Sequence, residues 1–160
     1  MKNDLGNDHL DQAITLTLPL RAVLQLGAPF PDPLPSKRLD SGQLPAIGAT
    51  VNGERFAGLS IAQDGQPVSL WLLESEAEPL TWKQAGEWAE GVGGDLPSRI
   101  DMLVLFKNLR AEFKESAYWT CEESADDADW AWYQYFDNGD QDYNDKNDKL
   151  RARAVRRSPL

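Results

Sequence analysis

The amino-acid sequence predicts a mixed α+β domain at residues 47–160, carried behind an N-terminal arm and proline-rich linker at residues 1–46. Three observations predict it. Two apolar runs with a turn signal between them come first. Two segments with helical capping boxes and helical periodicity follow. The last third then alternates in the two-residue period of short β-strands. With 160 residues, 41% of them hydrophobic, and six tryptophans, the chain can build one domain with a core and is too apolar for a disordered polypeptide.

The arm opens with a polar lead-in and the alternating run Ala13-Ile-Thr-Leu-Thr-Leu18, which suits a strand. Pro29, Pro31, Pro33, Pro35 and Pro45 then remove backbone donors and fix φ, so the segment is expected to run extended and to pack against another subunit or a larger particle. The early apolar stretch Ala13–Leu26 is broken by Pro19 and Arg21 and is too short to span a bilayer. No basic stretch precedes an apolar one at the start, so no secretory signal is expected. The expected location is the cytoplasm of the producing cell, with later association with a virion as the route out.

In the domain, Arg55–Ile61 and Val68–Leu73 flank Asp64-Gly65, a hairpin signal because glycine adopts positive φ freely. Thr81 and Gln84 form a capping box ahead of Trp82, Ala85, Trp88 and Ala89 on one helical face, with Gly91 as the stop. Ser98 and Asp101 cap the next helix, whose stripe is Met102, Phe106, Leu109 and Phe113. Core packing is the expected role of these aromatics, with Trp82, Trp88, Leu96, Phe106 and Trp119 mostly buried.

Tyr118–Cys121 reads as a short strand. Asp129–Asp137 alternates, placing Trp130, Trp132 and Phe136 on one side and Tyr133 and Tyr135 on the other. Asn138-Gly139 is a type I′ turn signal that would return the chain through Gln141 and Tyr143 and bring them beside Tyr133 and Tyr135, with Trp132 and Phe136 as the inward face that holds this surface rigid. Leu150, Ala152 and Ala154 alternate with Arg151 and Arg153 in a last strand, the arginines on its outer face, and the basic ending of Lys146, Lys149, Arg151, Arg153, Arg156 and Arg157 is expected to neutralise the neighbouring acidic hairpin.

Gly93-Gly94-Asp95-Leu96-Pro97-Ser98-Arg99, Tyr118-Trp119-Thr120-Cys121-Glu122, Ala131-Trp132-Tyr133-Gln134-Tyr135-Phe136 and Val155-Arg156-Arg157 occur in this order. This ordered set resembles the Lcl C-terminal domain family of phage and bacterial proteins, over about the second half of the chain and more loosely the Arg55–Leu73 hairpin. Thr120-Cys121 departs from the expected Ser-Ser or Ser-Thr. The resemblance implies a C-type-lectin-like fold, two helices beside a small twisted antiparallel sheet with a loop-rich binding face. Related folds serve phage receptor-binding proteins, the variable proteins of diversity-generating retroelements and formylglycine-generating enzymes, so fold alone does not assign function.

Asp126–Asp148 holds eight Asp, three Asn and three Tyr in 23 residues. Their codons differ only in the first base, the mixture that adenine mutagenesis of an Asn codon would leave; a solvated acidic hairpin is the plain alternative. Asp127, Trp130, Tyr133, Tyr135, Asp137, Asp140, Asp142, Tyr143, Asn144 and Asn147 are the expected binding face, because aromatics supply contact area at low entropic cost and Asp and Asn supply adaptable polar contacts.

A net charge of -10 argues against a general nucleic-acid binder, which needs a basic footprint, and permits a basic partner. Catalysis is not expected: His9 is the one histidine and lies in the polar lead-in, and Cys121 is the one cysteine, whereas formylglycine-generating enzymes use more than one. The acidic tract does not fit a calcium-binding EF-hand, since the loop counted from Asp140 puts Asp145 where glycine is required and Arg151 at position twelve. No cofactor or metal is expected. The function expected is therefore a non-catalytic receptor- or ligand-binding protein, phage- or prophage-encoded, taking a protein or glycan ligand. The second possibility is an acidic intracellular inhibitor of a host protein or a nucleic-acid-handling defence complex.

Overall fold

A computed structural model of the chain describes residues 44–160. The strand expected at Ala13–Leu18 and the prolines up to Pro35 lie outside the described residues. In chain order come β1 (Thr50–Val51), β2 (Glu54–Ile61), β3 (Pro67–Leu80), α1 (Trp82–Gly91), α2 (Arg99–Leu109) with a 3-10 turn at Arg110–Glu112, then β4 (Ala117–Glu123), β5 (Trp130–Tyr135), β6 (Gln141–Asp145) and β7 (Leu150–Pro159). The fold is mixed α+β. Its seven strands form one sheet in the order β1-β2-β3-β7-β4-β5-β6, antiparallel except where β4 meets β7.

The sheet is larger than the small one expected. Its two longest strands, β3 with 14 residues and β7 with 10, pair side by side at its centre. The extension of β3 beyond Leu73 runs through Glu74-Ser-Glu-Ala-Glu78, which carries almost no apolar periodicity. Charge holds it instead: Glu76 lies opposite Arg153, and Arg151 reaches both Glu76 and Glu78 at 3.6 Å.

The helices cover opposite faces. Leu73, Ala77, Ala152 and Ala154 pack with Ala85 and Ala89 of α1. The alternate residues Leu70, Leu72 and Val155 pack with Met102, Leu105 and Leu109 of α2. Both capping boxes form, Thr81 with Gln84 and Ser98 with Asp101. Leu105, fully buried like Met102, takes the core place expected of Phe106, and the α-helix ends at Leu109, so Phe113 enters the core from beyond it. Trp119 and Leu96 are buried as expected, while Trp82, Trp88 and Phe106 are only half-buried. On α1 the small Ala85 and Ala89 make the close contact and the two indoles flank it.

Because β7 is an inner strand with a helix on each side, its alternation does not separate inside from outside. Arg153 is 7% exposed rather than on an outer face. Its guanidinium donates to the carbonyls of Leu73 and Glu112 and lies 5.3 Å from the Phe113 ring. The Leu73 carbonyl sits where the β3–β7 register shifts, so Arg153 satisfies an acceptor that the ladder leaves over. Arg151, Arg156 and Arg157 of the basic ending pair away from the acidic hairpin, with Glu76, Glu54 and Asp101, while Lys146 lies 3.3 Å from Glu123.

Candidate ligand-binding surface

β6 is an edge strand, so the β5–β6 hairpin presents one end of the sheet to solvent. Its register pairs Trp130 with Asp145, Trp132 with Tyr143, Tyr133 with Asp142 and Gln134 with Gln141. Residues opposite one another share a face. Trp130, Trp132 and Tyr143 therefore stand together, and Tyr133 and Asp142 occupy the other side. Tyr143 and Gln141 do not join Tyr133 and Tyr135, as the sequence reading expected; the two tyrosine sets lie back to back.

The hairpin loop also differs from the expected two-residue turn. A type I′ turn needs positive φ at both central residues, and here Gly139 has it (φ 88°) while Asn138 does not. The Tyr135 amide donates to the Asp140 carbonyl, and the Gly139 amide donates to the Tyr135 carbonyl, so four residues, Phe136 to Gly139, make the loop. Phe136 turns into the core, stacked on Phe113 at 3.8 Å between ring centres. Gly139 lies against Phe106, where an added Cβ would come within 2.8 Å of the ring. The half-buried Phe106 thus seats the loop.

On the first face, Trp130 and Trp132 meet the Tyr143 ring edge-on at 5.7 and 5.2 Å. The Arg99 guanidinium lies 3.6 Å from the Trp132 ring centre. Arg99 is fixed there by a chain of amides. Its Nε donates to Gln141 Oε1 at 3.1 Å, Gln141 Nε2 donates to the Arg99 carbonyl and to Gln134 Oε1, both at 2.8 Å, and buried Gln134 donates to the Met102 carbonyl at 3.1 Å. Tyr143 remains 45% exposed. Trp132 belongs to this strip and not to an inward face with Phe136. Arg99 and Gln141 were missed as site residues because their place is fixed by α2 meeting the hairpin, which no local pattern announces.

On the second face Tyr133 is buried, 6.4 Å edge-on to Trp119, and does not belong to an exposed binding face. Burial, then the neighbouring Tyr135 and the charge of Asp142, push its phenol up to about 12. Tyr135 is exposed beside it, with ring centres 5.1 Å apart.

Most of the expected acids and amides are exposed, and Asp142 lies on the face opposite the Trp130–Trp132–Tyr143 strip. Asp127, Asp137, Asp140, Asp142 and Asn147 are exposed, and Asn144 is half-buried like Trp130. Two of these aspartates hold their own turns, Asp127 accepting from the Asp129 amide and Asp137 from the Asn138 amide, while Asp142 accepts from the Tyr143 amide within β6, all at 2.8–3.0 Å. Among the described residues no three Asp, Glu, Cys or His side chains form a group that could hold a metal ion. No helix among the described residues is long and apolar enough to cross a membrane. The surface offers edge-packed aromatic rings and one pinned guanidinium with exposed carboxylates nearby, which equips it for stacking and hydrogen bonding with a ligand. No family model and no curated protein matches the sequence.

Proposed function

We propose that this chain is a non-catalytic ligand- or receptor-binding protein whose paratope is the Trp130–Trp132–Tyr143 strip of the β5–β6 hairpin, with Arg99 at one side and the aspartates as its rim. The observation that carries this reading is the pinned Arg99–Trp132 stack. An arginine held by Gln141 and Gln134 beside half-exposed aromatics is ordered before any ligand arrives, which lowers the entropic cost of binding. Flat aromatic faces fringed by carboxylates suit a sugar ring or a polar protein loop.

The Lcl-like motifs lend this reading a C-type-lectin-like fold and a phage or prophage origin. The Asp, Asn and Tyr content of Asp126–Asp148 supports diversification by a retroelement. Cys121 supports the non-catalytic part: burial, the leading influence, pushes its thiol up, which disfavours the nucleophilic thiolate. Attachment to a larger particle through residues 1–46 belongs to the same proposal.

The test is binding to a glycan microarray and to a panel of intact bacterial cells. Tyr143→Ala should lose retention by about tenfold or more, as truncated aromatic hot spots do, with the melting temperature nearly unchanged. Equal retention by wild type and Tyr143→Ala would remove the strip as the paratope. Eight aspartates between Asp126 and Asp148 favour a second reading, an acidic inhibitor of a basic host protein. Steep loss of binding with added salt, together with indifference to Tyr143→Ala, would select it.

A further inference from the structure

Away from the hairpin strip, the loop between α1 and α2 is laid across β4. The Cys121 amide donates to the Pro97 carbonyl at 2.9 Å, and the Trp82 indole donates to the Thr120 carbonyl at 2.8 Å. Two clefts open on either side of this crossing. One, of about 620 Å³, lies between the end of β2 and the start of α2. The other, of about 400 Å³, runs beside α1. Both are walled by Asp95, Leu96 and Cys121, so they form one bent groove.

The groove floor is apolar and its rim acidic. Leu96, Cys121 and Trp82 line it, and Ile61 and Ile100 stand at one lip, each about half exposed at 49% and 47%. Arg157 lies in the wall, but its charge is committed. It donates through Nε to buried Asp101 at 2.9 Å and through Nη2 to the Leu96 carbonyl at 3.1 Å. Lys83 sits 3.8 Å from Glu87, one helical turn on. The rim carboxylates are Asp95, exposed but 3.5 Å from Arg157 Nη1, Glu122, which accepts from the Arg99 amide at 2.7 Å, and Glu90, on a chain whose net charge is -10.

From this complementarity we infer that the groove is a second binding site, for an extended peptide segment of a partner protein in which basic and aliphatic residues alternate. In an extended chain alternate side chains point to opposite sides. The aliphatic ones would lie on Leu96, Cys121 and Trp82, and the stems of lysine or arginine would pass over the lips to bring their charges to Asp95, Glu90 and Glu122. The inference is independent of the hairpin paratope.

The probe is a short fluorescein-labelled peptide of alternating lysine and leucine, titrated by fluorescence anisotropy against the full chain. Two variants close the groove by different means. Gly86 lines it, and a Cβ built there meets nothing within 4 Å, so Gly86→Leu starts a side chain in open space beside the floor and should obstruct it. Asp95→Asn combined with Glu90→Gln removes rim charge from exposed positions and keeps the fold testable should the first variant misfold. Each should weaken binding by about tenfold, the order expected for lost charge-assisted and apolar contacts. Tyr143→Ala should leave it unchanged. Peptide should also slow alkylation of Cys121, the one cysteine in the chain. The proposal is overturned by no binding to wild type, by equal binding of a lysine–glycine peptide, or by binding that survives both groove variants. Loss with Tyr143→Ala alone would assign the peptide to the hairpin.

Discussion

Trp119 is fully buried, its indole donates to the Leu80 carbonyl at 2.9 Å, and Tyr133 packs edge-on against it. Replacement by alanine removes a large apolar volume and orphans a carbonyl. Trp119→Ala should cost about 3–5 kcal/mol, measured by denaturant unfolding. Tyr133 behaves as core and Tyr135 as surface, although the two are separated by one residue. Since folding raises the Tyr133 phenol to about 12, its contribution to stability is fully present below the ordinary tyrosine value of 10.0 and is lost as pH rises towards 12. Unfolding followed across that range should show the loss in wild type and a weaker one in Tyr133→Phe. An equal slope in both proteins would contradict the assignment.

At the scale of elements, the joint between β3 and β7 depends on charges as much as on packing. Tyr118 donates to Glu76 at 2.5 Å, with Lys114 at 3.3 Å and Arg151 at 3.6 Å. Burial alone would raise the Glu76 carboxyl, but the Tyr118 hydroxyl and the two cations outweigh it and hold the group below its ordinary 4.5. A depressed carboxyl stabilises the fold above its unfolded value, and that stabilisation disappears as pH falls through the folded one. Acid unfolding below 4.5 should therefore be less steep in Glu76→Gln than in wild type. At neutral pH the variant should be less stable by roughly 1–3 kcal/mol, because Arg151 and Lys114 lose their shared anion. The β5–β6 hairpin is held differently, by Phe136 in the core and Gly139 against Phe106, so these changes should leave its binding face in place.

At the scale of the molecule, both core clusters among the described residues are built from residues between Ala57 and Val155. A chain beginning at Leu44 should consequently unfold in one cooperative transition, as small single domains do. The proposed assembly role of residues 1–46 would appear as a different oligomeric state of the full chain in light scattering. Identical oligomeric state, solubility and stability of the two chains would deny the arm that role. The two surfaces proposed above differ in their apolar part: edge-packed aromatic rings at the hairpin, and Leu96, Cys121 and Trp82 at the groove.

The local signals in the sequence were strong where short-range physics decides. Two capping boxes, the apolar stripes that start the helices, and the alternation of β5 each depend on residues a few positions apart, and each is present in the structure. The tertiary structure alone decided which alternate face is inside. β7 lies between β3 and β4 with a helix on either side, so Arg153 is buried at a position where alternation implied solvent. Likewise the acid-rich half of β3 becomes a strand because β7 brings arginines beside it, and Tyr133 is core because Trp119 of β4 is its cross-strand partner. Arg99 reaches Trp132 for the same reason: α2 and β5, far apart along the chain, meet only after the sheet has formed. Periodicity encodes the shape of a segment, but burial and charge pairing belong to whichever distant segment arrives opposite it.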